Sequence, residues 1–181
     1  MRILVAFFAV AMCLPAQAVP CASSDELGQL YIADQDDRKE SPIDWSIVGR
    51  RDRERRKRVG ELIAAAELRC PVDFFHAAMV YQHGHSPSHF LLAHILATAA
   101  AFQGHESAIK LSASTLDRYL GTVGQPQVFG MQLHKMPWED DFSPEPFDRE
   151  MLPDFVRQLY NVPSLADLEA RLERRNQGGE P

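Results

Sequence analysis

Histidine is the side chain of this 181-residue sequence best suited to proton transfer or metal binding near neutral pH, and there are seven. Three of them lie in one short segment, as His83, His85 and His89. Pro87 separates the last two, so they do not share one continuous helical face. The sequence has neither a His-Glu-x-x-His motif nor a paired-cysteine motif. We therefore predict no metal site and no cofactor.

Other common catalytic signatures are also missing from the sequence. There is no G-x-S-x-G or S-x-x-K motif for a nucleophilic serine, and no glycine-rich loop of the kind that binds phosphates. The sequence leaves open the alternative of a catalytic pair of carboxylates, because acidic residues that are distant in sequence can converge in a fold.

Four short polar motifs follow one another along the chain: Asp34-Gln35-x-x-Arg38, Gln82-His83, Asp117-Arg118 and Gly124-x-x-Gln127-x-Phe129-Gly130-x-Gln132. If these segments converge, they form a polar pocket with an imidazole, carboxylates and two arginines. Such a pocket suits acid–base catalysis, with His83 as the base, Asp117 orienting it and an arginine holding an anion. The same residues equally suit a buried hydrogen-bond network that fixes how helices pack.

This ordered set resembles a bacterial family of unknown function whose members show DQ-x-x-R, QH, DR and G-x-x-Q-x-[YF]-G-T-Q. The resemblance covers roughly residues 30–134, and Met131 stands where the family has threonine. It implies no established activity. It does mark nine residues as candidates for ligand binding: Asp34, Gln35, Arg38, Gln82, His83, Asp117, Arg118, Gln127 and Gln132.

The elements that must position these residues are predicted to be helices. Proline spacing and apolar periodicity indicate helices near 52–68, 72–83, 90–103, 106–120 and 164–174. No stretch shows the alternation of a half-buried strand. Residues 74–108 are similar to the antiparallel helix pair of tetratricopeptide-like repeats, but no second copy follows. The sequence thus predicts an all-α fold, either a compact helical bundle or a short stack of antiparallel helical hairpins.

Residues 1–18 have the pattern of a cleaved export signal. Arg2 precedes the apolar run Ile3–Leu14, and Ala16-Gln17-Ala18 forms a small-x-small cleavage site. A twelve-residue helix spans about 18 Å, which is short for a hydrocarbon core of about 30 Å. A short membrane anchor is the alternative. We predict a periplasmic or secreted protein with no membrane span in the mature chain, one α-helical domain over residues 19–175, and a disordered tail over 176–181.

Two cysteines remain once the signal is removed, Cys21 and Cys70. In an oxidising compartment such a pair predicts a disulfide. The alternative is a buried free thiol at Cys70 and a mobile terminus around Cys21.

The net charge of −6 does not favour nucleic acid as a partner. Charge is nevertheless concentrated in a basic block, Arg50–Arg58, and an acidic block, Trp138–Asp154. The basic block is either a solvated helix face, with the pairs Asp52–Arg56 and Glu54–Arg58, or the surface on which the acidic block lies.

Together these features predict an exported ligand-binding or protein-interaction module whose partner is an unknown small molecule or protein. The alternative is a small periplasmic hydrolase that uses His83 with Asp117.

Overall fold

A computed structural model of the protein describes residues 21–39 and 41–178. Within these ranges it contains no strand, only two isolated bridges, Gln127–Phe147 and His134–Ser143. The predicted all-α fold is confirmed as a compact helical bundle. The predicted export signal lies outside the described residues. The seven helices are α1 (Asp25–Asp36), α2 (Trp45–Ala64), α3 (Pro71–Tyr81), α4 (Pro87–Phe102), α5 (Glu106–Thr122), α6 (Asp154–Leu159) and α7 (Leu165–Asn176).

Most helices begin at a residue that can cap them. A side-chain oxygen accepts a hydrogen bond from a backbone N–H in the first turn of four helices, from Ser24, Asp44, Ser86 and Ser164. Pro87 occupies the first position of α4, where its missing N–H costs nothing. Gly104, with φ of +92°, follows the end of α4 and turns the chain towards α5.

The start of α1 is fastened to the start of α3 by a disulfide and by a buried carboxylate. Cys21 and Cys70 are bonded, which confirms the predicted bridge. The fully buried Asp73 accepts hydrogen bonds from the backbone N–H groups of Cys70, at 2.9 Å, and of Ser24, also at 2.9 Å. These links fix where α1 lies relative to α3.

The principal core lies among α1 to α5. Its large side chains include Leu27, Val59, Leu62, Val80 and Leu96. The most extensive helix contacts are α3 with α4 and α4 with α5. Small side chains allow this close approach, because the fully buried residues of α3 and α4 include Ala77, Ala78, Ala93, Ala97 and Ala100.

The C-terminal part packs around a buried arginine. Arg157 of α6 is 1% exposed, and its guanidinium donates to the carbonyls of Phe129, at 2.9 Å, and Pro163, at 2.8 Å. Asn176, assigned by sequence to a disordered tail, is the last residue of α7. Its side chain exchanges two hydrogen bonds with the backbone of Phe142.

Sequence periodicity missed α1 and α6 and misplaced the ends of α2. The segment Asp25–Asp36 places few residues in the apolar core, so its amphipathic pattern is weak. Helix α6 is only six residues long. Helix α2 begins at Trp45, because Asp44 caps it there, and it ends at Ala64 rather than near Leu68. Among the described residues, no helix is long and apolar enough to cross a membrane.

Candidate functional site

The candidate site is centred on Asp34, which α1 places in the interior with 0% exposure. His83 Nδ1 lies 2.9 Å from Asp34 Oδ2 and 3.1 Å from Oδ1. Arg38 Nη1 donates to Oδ1 at 3.2 Å, and Gln35 Nε2 donates to Oδ2 at 2.7 Å. The first two predicted motifs therefore converge on one carboxylate.

A second carboxylate from α2 extends this network. Arg38 donates to Asp52 through Nη2, at 2.7 Å, and Arg55 Nη2 donates to both Asp52 and Asp37, each at 2.7 Å. Burial alone would raise the pKa of the Asp52 carboxyl, but the hydrogen bonds and charges of Arg38 and Arg55 outweigh it and lower that pKa. This network fastens α1 to α2 through charged groups.

His83 follows the C-terminal end of α3, and its orientation is fixed from two sides. Because a carboxylate only accepts hydrogen bonds, the ring nitrogen facing Asp34 carries the hydrogen. The buried Arg56 of α2 donates through Nη1 to the backbone carbonyl of His83, at 2.8 Å. The ring of His83 thus presents its other nitrogen, Nε2, away from Asp34.

The expected pairing of His83 with Asp117 is wrong. Asp117 is 1% exposed, and its carboxylate is used entirely by the backbone of the loop after α5. Oδ1 accepts from the N–H groups of Val128, at 2.8 Å, and Phe129, at 3.0 Å, and Oδ2 accepts from Met131, at 2.8 Å. Asp117 therefore shapes the loop and does not orient the imidazole.

The predicted glutamines also bond within the protein. Gln127 Nε2 donates to the carbonyls of Gln132, at 2.8 Å, and Pro144, at 2.5 Å, while its oxygen accepts from Gln132 N–H. Gln132 Nε2 donates to Ser114 Oγ at 2.8 Å. Gln82 Nε2 contacts the sulfur of Met79 at 3.0 Å. All three amides serve the folded chain itself.

Arg118 is the exception among the nine candidates. Its side chain is partly buried, and its Nε is fully buried without a hydrogen-bond acceptor among the described residues. Burial and the nearby positive charge of Arg38 lower the pKa of this guanidinium. A partly buried cation near a second cation is stabilised when an anion binds to it.

Arg118 lines a cavity of about 470 Å³ between the end of α5 and residues 127–146. Its walls include the apolar side chains of Phe90, Leu133, Met136 and Pro146. This size is within the range of small-molecule pockets. A separate cavity of about 540 Å³ lies beside α7 and contains none of the nine candidates, so we do not assign the site to it.

Sequence reasoning missed the roles of Asp52, Arg55 and Arg56, which it had placed in a basic block. Asp52 bonds Arg55 and Arg38 rather than Arg56, and Arg58 bonds Glu26 and Glu61 rather than Glu54. No ion pair joins the basic block to the acidic block within 21–39 and 41–178. The signal that could have revealed the role of Asp52 is its position three residues before Arg55 on one helix.

Comparison of the chain with protein-family models, with curated proteins and with solved structures finds no match in any of the three. The resemblance to a family of unknown function therefore stays a prediction.

Proposed function

We propose that this chain is an exported α-helical protein that binds a small molecule through an anionic group, held by Arg118. One observation carries the proposal: the Nε of Arg118 is buried and has no acceptor among the described residues. The bound anion supplies the missing acceptor. Guanidinium is suited to this task because its planar donors match carboxylate and phosphate oxygens.

The charges around Arg118 support an anion rather than a cation as the ligand. The carboxylates of Asp34 and Asp52 are already paired with Arg38, Arg55 and His83. They leave Arg118 uncompensated. The apolar walls of the adjoining cavity favour a ligand with an organic part next to its charged group.

The proposed location is the periplasm or the cell exterior. The Cys21–Cys70 disulfide supports it, because such bonds form and persist mainly in oxidising compartments.

The proposal is tested by isothermal titration of the wild-type protein with acetate, inorganic phosphate and dimethyl phosphate. We expect at least one anion to bind and Arg118→Met to abolish that binding. Arg118→Lys should weaken it, because lysine keeps the charge but loses the planar fork. Arg53→Met is the matched control, since Arg53 is an exposed arginine outside the site. Equal binding by the wild type and Arg118→Met contradicts the proposal.

A further inference from the structure

The cavity of about 540 Å³ beside α7 is lined by two kinds of side chain. One part of its wall is charged and consists of Arg171, Arg174 and Arg175 of α7. These arginines are three and four positions apart, so they share one face of the helix. The other part of the wall is apolar and is formed by Met131, Leu133, Pro163 and Leu168. A single cavity thus places guanidinium groups next to an apolar surface.

Both parts of this wall are held in place by the fold. The buried Leu168 packs closely on the loop after α5, since a Cβ added at Gly130 would lie 2.7 Å from the Leu168 side chain. Gly130 also has a φ of +66°, which favours glycine. On the charged side, the Arg175 guanidinium lies over the ring of Phe142, 4.1 Å from its centroid. The cavity is therefore formed before a ligand binds.

The carboxylates of α7 are engaged outside this cavity. Glu169 pairs with Arg149 at 3.4 Å, and Asp167 accepts a hydrogen bond from Ser164 Oγ at 2.7 Å. Glu173 accepts a hydrogen bond from a side-chain amide one turn further along the helix, at 3.2 Å. Among the described residues, no carboxylate forms an ion pair with the three arginines of the cavity. Their positive charge is therefore available to a ligand.

The charged part of the wall stays positive when the helix dipole is included. The C-terminal end of a helix carries about half a negative charge. The last turn of α7 holds Arg174 and Arg175, and Arg171 adds a further positive charge one turn earlier. Guanidinium groups bind carboxylate and phosphate oxygens through paired hydrogen bonds. The wall therefore suits an anion that has an apolar chain attached.

We propose that this cavity is a second binding site, and that its ligand is an amphipathic anion, an alkyl or acyl chain that ends in a carboxylate or phosphate group. The head group binds the arginines of α7. The chain lies against Met131, Leu133 and Leu168 and is thereby removed from water. This inference goes beyond the proposed function, because it does not involve Arg118.

The first test is calorimetric titration of the protein with octanoate and octyl phosphate, both below the concentration at which micelles form. Burying one CH₂ group tightens binding about fourfold. We therefore expect octanoate to bind at least ~10-fold more tightly than butanoate, which lacks four of these groups. Octanol has the same chain without the charge, and it should bind at least ~10-fold more weakly than octanoate.

The second test replaces two of the arginines, as Arg171→Gln with Arg174→Gln. Both side chains are exposed, so the variant should keep the fold, which urea denaturation checks. We expect it to bind octanoate at least ~10-fold more weakly than the wild type does. The matched control is Arg50→Gln with Arg53→Gln, because these arginines are also exposed and three positions apart on one helix. The control should bind octanoate as the wild type does.

Two results support the inference and identify the head group: binding of octanoate alone, or of octyl phosphate alone, with loss of that binding in the double variant of α7. Three results overturn it. They are binding of neither anion, binding of octanol as tightly as octanoate, and unchanged binding of the anions by the double variant.

The variant Arg118→Met separates this inference from the proposed function. The two cavities share Leu133 and no other lining residue, so Arg118→Met should bind octanoate as the wild type does. If Arg118→Met loses octanoate and the double variant of α7 keeps it, the inference fails and the proposed function is supported. If small anions fail to bind at Arg118 while octanoate still requires the arginines of α7, the proposed function fails and the inference stands.

Discussion

Single residues in this protein show how differently a buried charge can be accommodated. Asp117 is surrounded by backbone N–H groups, and Arg157 by backbone carbonyls. Both charges therefore have their acceptors or donors within the fold. The buried Nε of Arg118, adjacent to Asp117 in sequence, has no acceptor among the described residues. We infer that Asp117 and Arg157 serve stability and that Arg118 serves binding.

This distinction predicts that Asp117→Asn is strongly destabilising although it preserves the shape of the side chain. The amide keeps one acceptor oxygen, but its NH₂ group faces a backbone N–H, so a buried donor loses its partner. We expect the free energy of unfolding to fall by about 3 kcal/mol, measured by urea denaturation. A change close to zero would show that the carboxylate does not hold the loop.

At the scale of helices, aromatic stacking joins α1, α3 and the start of α5. The rings of Tyr31 and His76 stack at 4.2 Å, and those of Phe75 and His105 at 4.3 Å. Burial lowers the pKa of the His76 imidazole, and the charge of Asp73 opposes this shift without cancelling it. The folded protein therefore holds His76 neutral more strongly than the unfolded chain does.

The consequence is a loss of stability in mild acid. Below the ordinary histidine pKa of about 6.5, the unfolded chain binds a proton that folded His76 resists, so the free energy of unfolding falls as pH falls. His76→Phe keeps a ring to stack on Tyr31 but cannot take up the proton. We expect a smaller fall in unfolding free energy for this variant than for the wild type between about pH 7 and pH 5. Urea denaturation at several pH values measures the free energy of unfolding of both proteins. An equal fall in the two would show that His76 is not the source of the pH dependence.

The helices also show how much of the fold the sequence could predict. Strong apolar periodicity and proline boundaries located α3, α4, α5 and α7 to within a few residues. Helix α1 was missed because its important residues, such as Asp34 and Gln35, are polar and follow no apolar pattern. The motifs did mark these residues. They could not show which carboxylate faces His83, because that depends on how α1 lies on α3.

At the scale of the whole molecule, the disulfide contributes both to the stability of the fold and to the position of the helix that carries Asp34. It joins residues separated by 49 positions and holds the start of α1 against α3; Asp34 lies near the other end of α1, and Arg38 follows it. Closing a loop of this length removes conformational entropy from the unfolded chain.

We therefore predict that replacing both cysteines with serine lowers the free energy of unfolding by about 4 kcal/mol. The same variant should bind anions more weakly, because α1 is then less firmly placed beside α3. Urea denaturation measures the first effect, and calorimetric titration with the best anion measures the second. Unchanged stability would show that other contacts fix α1 without the bridge.

The central claim is that Arg118 binds an anionic ligand. It is tested most directly by urea denaturation of the wild type and Arg118→Met, with and without inorganic phosphate. Removing a partly buried cation whose Nε has no acceptor should raise the free energy of unfolding of the ligand-free protein by about 1 kcal/mol. Phosphate should then stabilise the wild type and leave Arg118→Met unchanged. The account is contradicted if Arg118→Met is less stable than the wild type without phosphate and if phosphate raises the free energy of unfolding of both proteins equally.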